Sequence, residues 1–243
     1  MKASKANIIS ALRKDILSLQ RIRHDGNNCR LDKMIGILKN AFPDKIFPVG
    51  VIHEFIVQEA EDAAVTNAFV ASIVNPLMND CAPVIWVGNN ISVFPPTLKA
   101  FGIAPEKIIF IELKKEKEIL WVIEETLKCE GLAAVIGEIK ELTFTQSRRL
   151  QLAVEKSKVT GFIIRNNPKA INITACVTRW KITSLPGENK DDLPGVSFPR
   201  WNVDLLKVRN GKPATWQIEY SAGRFRYNNK IAAIPKQLQQ KTG

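Results

Sequence analysis

The chain is predicted to fold as an α/β domain, with a mostly parallel sheet flanked by helices and antiparallel strands added on the C-terminal side. Three observations carry this. Short β-rich runs alternate with helical patterns from Ile46 to Arg165. Those runs are apolar throughout rather than alternating, as expected of strands covered on both faces. After Arg165 the helical patterns stop, and what remains reads as strands joined by turns.

A chain of 243 residues has room for one substantial core with appendages. The organisation read from it is a helical arm over 1–45, a core over 46–220 and a basic tail over 221–243. In the arm, Ile8, Leu12, Ile16 and Leu19 have helical spacing, and Leu31, Met34, Ile35, Leu38 and Phe42 repeat it after the polar "RHDGNN". These helices form either an arm that docks on another molecule or a cover for the chain's own core. Strands are expected over 46–57, 83–88, 107–113, 131–139 and 160–165, with helices near 61–79, 95–101, 115–129 and 144–157. Thr143 and Gln146 stand at capping-box spacing at the start of the last helix, and Gly131 is placed to cap the third. Added strands are expected over 172–185 and 201–220, the second a hairpin turning at Asn210-Gly211, with the polar loop "PGENKDDLPG" between them. Residues 221–243 hold Arg224, Arg226, Lys230, Lys236 and Lys241 and no acid.

The net charge of +11 is segmented. Residues 1–45 hold ten Lys/Arg against four Asp/Glu, residues 46–130 six against twelve, and residues 131–243 nineteen against eight. The basic C-terminal part suits a polyanion or an acidic partner, or is simply a soluble basic surface. Cys29, Cys81, Cys129 and Cys176 are far apart and only His24 and His53 accompany them, so a metal site is not expected and the thiols read as small buried groups. The N-terminus lacks an uninterrupted apolar core and no later run approaches membrane-span length, so no membrane association and a cytoplasmic location are expected.

The stretch "FPVGVIHEFIVQEAEDAAVTNAFVASIV" at 47–74 has the strand, connection and helix order of a phosphate loop. Phosphate loops need glycines that let the backbone wrap the anion and a lysine that reaches its oxygens. Here no glycine occurs between Gly50 and Gly88, and no Lys or Arg between Lys45 and Lys99. Glu59, Glu61 and Asp62 stand at the expected helix start, with Thr66 following. Carboxylates there gain about 0.3–1 kcal/mol each from the helix dipole. They take the place a nucleotide phosphate would occupy, so no cofactor is expected.

"LAAVIGEI" places Glu138 where a Walker-B strand carries its magnesium-binding carboxylate; the alternative is a hydrogen-bonded structural Glu. Where a water-activating Glu could follow "PVIWVG", the chain has Asn89-Asn90, and an amide cannot take a proton. Arg148 and Arg149 mark a basic spot or a solvated helix face. "GRFRYNNK" interleaves Arg224, Phe225, Arg226, Tyr227 and Lys230, which suits a partner-binding peptide, a single-strand-binding segment or a packed strand extension. Trp180, Trp201 and Trp216 are expected to pack in the core or on the sheet.

"FPVGVIHEF" (47–55), "PVIWVGNNISVFPPTLKAFGI" (83–103) and the run from "LWVIEETLKCEG" to "VTGFIIR" (120–165) resemble the ImuA proteins of bacterial error-prone repair. That group is similar to RecA and is described alongside the SulA cell-division inhibitors. The likeness spans roughly residues 8–220 and is most specific at "RRLQLAVE" and "FPPTLKAFG". It implies a RecA-like P-loop-type core with a degenerate phosphate loop, without ATP hydrolysis. The implied role is a non-enzymatic scaffold of SOS-induced translesion DNA synthesis. The implied partners are ImuB, a Y-family polymerase relative, and an error-prone replicative-type DNA polymerase; DNA as a further partner of the basic C-terminal region is read from its charge alone. Two departures from RecA stand out: Glu138 is followed closely by the helix at Thr143, and only "RNNPKAIN" separates strand 160–165 from the next. Both DNA-binding loops are thereby reduced to connectors. The rival readings are a residual ATPase that uses Glu138 with a basic group from a neighbouring subunit, and a SulA-like division inhibitor.

Overall fold

The computed structural model describes residues 28–78, 82–91, 93–186 and 198–227. Its core is one nine-stranded sheet ordered β3-β2-β4-β5-β1-β6-β7-β8-β9. The strands are β1 (Ile52–Val57), β2 (Val84–Gly88), β3 (Ile108–Glu112), β4 (Ala134–Ile139), β5 (Thr160–Asn166), β6 (Thr178–Leu185), β7 (Arg200–Val208), β8 (Ala214–Ser221) and β9 (Arg224–Tyr227). Neighbours are parallel from β3 across to β6 and antiparallel from β6 to β9. The expected α/β class with added antiparallel strands is therefore observed.

Among the described residues four α-helices flank the sheet: α1 (Asn28–Ile35), α2 (Ala60–Leu77), α3 (Glu116–Thr126) and α4 (Phe144–Ser157). Strand side chains alternate between faces. Phe55, Trp86, Ile136 and Phe162 join α1 and α2 in one core, while Ile52, Val87, Val135 and Ile163 join α3 and α4 in the other. No helix among the described residues is long and apolar enough to cross a membrane.

Several boundaries differ from the sequence reading. The pattern at 31–42 belongs to α1 and the 3-10 helix Gly36–Ala41, and Leu31, Met34, Ile35, Leu38 and Phe42 are all buried in the core of the α2 face. This half of the arm covers the chain's own sheet, because an apolar stripe this continuous is stable only when buried. The pattern at 7–22 lies outside the described residues. The strand expected from 46 begins at Ile52, after a turn at Pro43–Lys45 with positive φ at Asp44 and Lys45. The helix near 95–101 is a 3-10 helix opened by Pro95-Pro96 and closed by left-handed Gly102. Gly131 does not cap the third helix: α3 ends at Leu127 in right-handed backbone, and its last turn unwinds through bonds from Lys128 and Cys129 to the carbonyls of Glu125 and Thr126.

The capping box of α4 is formed, with Gln146 N–H donating to Thr143 Oγ1 and Thr143 N–H to Gln146 Oε1. The hairpin between β7 and β8 turns at Asn210-Gly211 as read from sequence. Gly211 lies against the Ala41 carbonyl, where a Cβ would not fit, and Lys212 N–H donates to that same oxygen.

Residues 224–227, read as the start of the tail, form β9 instead. A two-residue turn at Ala222-Gly223, both with positive φ, folds them back on β8. Phe225 stacks on Phe69 at 5.1 Å and meets Trp201 and Tyr220. Trp180, Trp201 and Trp216 are buried, as the sequence reading expects.

His53 is sandwiched between Phe47 and Phe162 and fully buried. Its Nε2 lies 2.9 Å from the Pro48 carbonyl, which can only accept, so the proton sits on Nε2 and Nδ1 accepts from Thr178 Oγ1 at 2.7 Å. Burial pushes its pKa down to about 3.

Candidate functional site

In open parallel α/β sheets, ligands bind beyond the carboxyl ends of the strands. At that edge β1 meets α2 with only Gln58 and Glu59 between Val57 and Ala60. A connection this short has no backbone to wrap an anion. Glu59 is the N-cap residue but its side chain makes no capping bond, and Glu61 and Asp62 lie in the first turn. Glu59 and Glu61 are exposed and Asp62 is half-buried. Thr66, deeper in α2, is fully buried, and its hydroxyl and the Asn67 side-chain oxygen Oδ1 have no hydrogen-bond partner among the described residues.

One cation does reach the junction. Lys181 of β6 donates from Nζ to Gln58 Oε1 at 2.6 Å. Its position in the sequence, far from 58, gave no sign of this.

Glu138 sits near the end of β4, on the α2 side, where sequence spacing placed the Walker-B-like carboxylate. It is engaged on both oxygens: the Trp86 indole donates to Oε1 at 2.7 Å and Asn166 Nδ2 to Oε2 at 3.1 Å. Its Cβ also lies so near Gly88 that a Cβ there would approach within 3.1 Å. Burial pushes its pKa above the ordinary carboxylate value, opposed by the two hydrogen bonds. A carboxyl tied down by neutral donors is poorly arranged to hold a cation.

The strongest polar constellation lies on the other face, and the sequence reading missed it. Glu54 of β1 and Arg165 of β5 are both fully buried and pair at 3.0 Å, while Arg179 Nε reaches the second Glu54 oxygen at 2.9 Å. Every Arg165 donor has an acceptor: Lys140 O, Glu54 Oε1, Asn172 Oδ1, Glu141 Oε2 and Ala170 O. Thr174 Oγ1 also donates to Glu54 Oε2. The available signal was a single charge within each of two apolar strands, "IHEFIV" and "FIIR".

The basic candidates do not converge on one site. Arg148 and Arg149 are exposed on α4, and Arg149 pairs with Glu124 of α3 at 2.7 Å. Arg224 and Arg226 alternate with buried Phe225 along β9 and are exposed, as is Tyr227. Phe225 is thus unavailable for stacking on a base. Lys230 lies outside the described residues.

No protein-family model matches the chain. Protein ImuA of Caulobacter vibrioides (strain NA1000 / CB15N) is 29% identical over 194 residues, covering 75% of this chain and 80% of the relative. The same figures hold for Protein ImuA of Caulobacter vibrioides (strain ATCC 19089 / CIP 103742 / CB 15). The crystal structure of SulA from Pseudomonas aeruginosa, 18% identical, aligns with 49% of this chain and 99% of its own at a TM-score of 0.41. The similarity to the ImuA proteins extends over most of both sequences, in agreement with the resemblance read at 47–55, 83–103 and 120–165.

Proposed function

We propose that the chain is a non-catalytic accessory protein of DNA-damage-induced mutagenesis. In this reading it is a RecA-like domain with a degenerate phosphate loop that acts as a scaffold in translesion synthesis. It assembles with an ImuB-type Y-family polymerase relative and an error-prone replicative-type polymerase. The observation that carries the non-catalytic reading is the junction of β1 and α2, which has two residues, no glycine and a carboxylate on each side of the helix start. A triphosphate there would meet like charge and find no wrapping backbone. Kinship with the ImuA proteins supports the damage-response setting. Affinity purification after DNA damage tests it: a Y-family polymerase relative is expected to co-purify, and its absence under strong induction overturns the reading.

Residual nucleotide binding is the second reading, favoured by Lys181 at the Gln58 side chain. Titration with fluorescent ATP and magnesium separates the two. The scaffold reading expects no saturable binding in the micromolar range. Saturable binding lost in both Lys181→Ala and Glu138→Gln establishes the nucleotide reading.

A further inference from the structure

The connection from β5 to β6, residues 167–177, was read from sequence as a short link with a strand starting near 172. Instead it runs as an extended strap along the side of α4, with Ala175 N–H donating to Ser147 Oγ and Asn172 Nδ2 to the Leu142 carbonyl, both at 2.8 Å. Side chains on extended backbone alternate, and here the alternation is inverted relative to ordinary burial. The inward positions are polar. The Ala170 carbonyl is held by Arg165, the Asn172 side chain by Arg165 and its carbonyl by Arg179, and the Thr174 hydroxyl by Glu54. The outward positions are Ile171 and Ile173, 47% and 79% exposed. Phe144, at the start of α4 beside the strap, adds a third exposed apolar side chain.

Isolated exposed apolar residues are ordinary. What sets these apart is their support: a fully buried arginine with all its donors used, and a fully buried glutamate paired to two arginines, hold the backbone that presents them. Buried ion pairs are weak sources of net stability, because removing the charges from water offsets their attraction. Their benefit is a fixed geometry, which lowers the ordering cost of binding. Three cations are exposed on the same segments: Lys169 on the strap, Lys140 before it, and Arg148, 3.8 Å from Glu155, one helical turn beyond Phe144. Two acids lie beside these cations and both are engaged: Glu141 by Arg165 and the Lys169 backbone N–H, and Glu116 by the backbone N–H groups of Lys140 and Glu141.

We propose that the strap is a preformed docking surface for a protein segment that carries apolar anchors flanked by carboxylates, with Ile171, Ile173 and Phe144 receiving the anchors and Lys169, Lys140 and Arg148 the acids. The proposal rests on the scaffold reading only in that a protein partner exists. Its test is direct binding, so failure to recover a polymerase relative and failure of this surface remain distinguishable.

The probe is a fluorescein-labelled synthetic peptide alternating Leu and Glu, compared by anisotropy with a Lys-for-Glu and a Ser-for-Leu version. The Leu/Glu peptide is expected to bind saturably and the other two not. Ile173→Asp, at a solvent-facing position, is expected to weaken binding about tenfold or more, and Lys169→Glu severalfold. Unchanged urea midpoints for both variants show that the fold is intact. Equal binding of the Lys version, no saturable binding, or an unaffected Ile173→Asp overturns the proposal. So does a single-stranded oligothymidine that binds in an Ile173-dependent way, which would make this a nucleic-acid surface. A dimer in sedimentation that Ile173→Asp dissociates would assign the surface to a second copy and overturn it as well.

Discussion

Two glutamates point inward from parallel strands of the same sheet, Glu54 in β1 toward α4 and Glu138 in β4 toward α2. Glu54 meets two guanidinium groups and a hydroxyl. Glu138 meets an indole and an amide, both neutral. One carboxyl meets opposite charge inside the protein, and the other meets neutral donors. The difference separates the two faces of the sheet. The carboxyl on the α2 face is tied down by hydrogen bonds on both oxygens, while the buried ion pairs lie on the face that carries the strap.

Substituting each carboxylate by its amide breaks the comparison most sharply at Glu54. Glu54→Gln keeps the shape but leaves Arg165, which is fully buried, and Arg179, which is nearly so, without their shared counter-charge. Breaking a buried pair from one side costs about 3–5 kcal/mol. Urea denaturation should show a loss of that size, and a loss under about 1 kcal/mol would mean that the network is solvated and does not hold the strap.

The α/β class, the strand-helix alternation, the α4 capping box and the β7–β8 hairpin were legible because each depends on residues close together in the chain. Thr143 and Gln146, or Asn210 and Gly211, carry their own geometry. The Glu54 network was not legible, since its members come from β1, β5, β6, the connection after β4 and the strap, and only the sheet order brings them together. Lys181 at Gln58 was hidden for the same reason. The tail was misread at its start because "RFRY" is as good an alternating strand as it is a basic aromatic peptide. Only the partner strand β8 and the apolar face around Phe69 decide between them.

Changing pH sharpens the contrast by a smaller amount. His53, next to Glu54 on β1, has its pKa lowered from 6.5 to about 3, so between those values the unfolded chain binds the extra proton and the folded chain does not. Its contribution is complete above pH 6.5 and is lost as pH falls toward 3, at up to about 1.4 kcal/mol per pH unit. Glu138, whose pKa is raised, acts in the opposite direction: above the ordinary carboxylate value the folded chain holds the proton longer, so stability falls as pH rises through that window. At the alkaline end Cys176, buried and pushed from 9.0 up to about 12, favours unfolding as pH passes 9. Thermal unfolding across pH should show a maximum near neutrality, and His53→Phe should flatten the acid side. An acid limb unchanged in that variant would show that His53 does not govern it.

The smallest effect is expected from Glu138→Gln. The amide oxygen can still accept from the Trp86 indole. The carbonyl oxygen of Asn166 is buried and has no partner as assigned, so turning that amide over would let it accept from the new side-chain NH2. The same turn would let a protonated Glu138 donate to Asn166, in the direction of the raised pKa. Gln therefore imitates the protonated form, toward which burial shifts this carboxyl. Stability at neutral pH should change by less than about 1 kcal/mol, within the range of a single rearranged hydrogen bond, and the part of the pH profile due to this carboxyl should disappear. A loss comparable to that of Glu54→Gln would show that Glu138 is held as a charge. The contrast between a carboxyl held by neutral donors and one held by ion pairs would then fail.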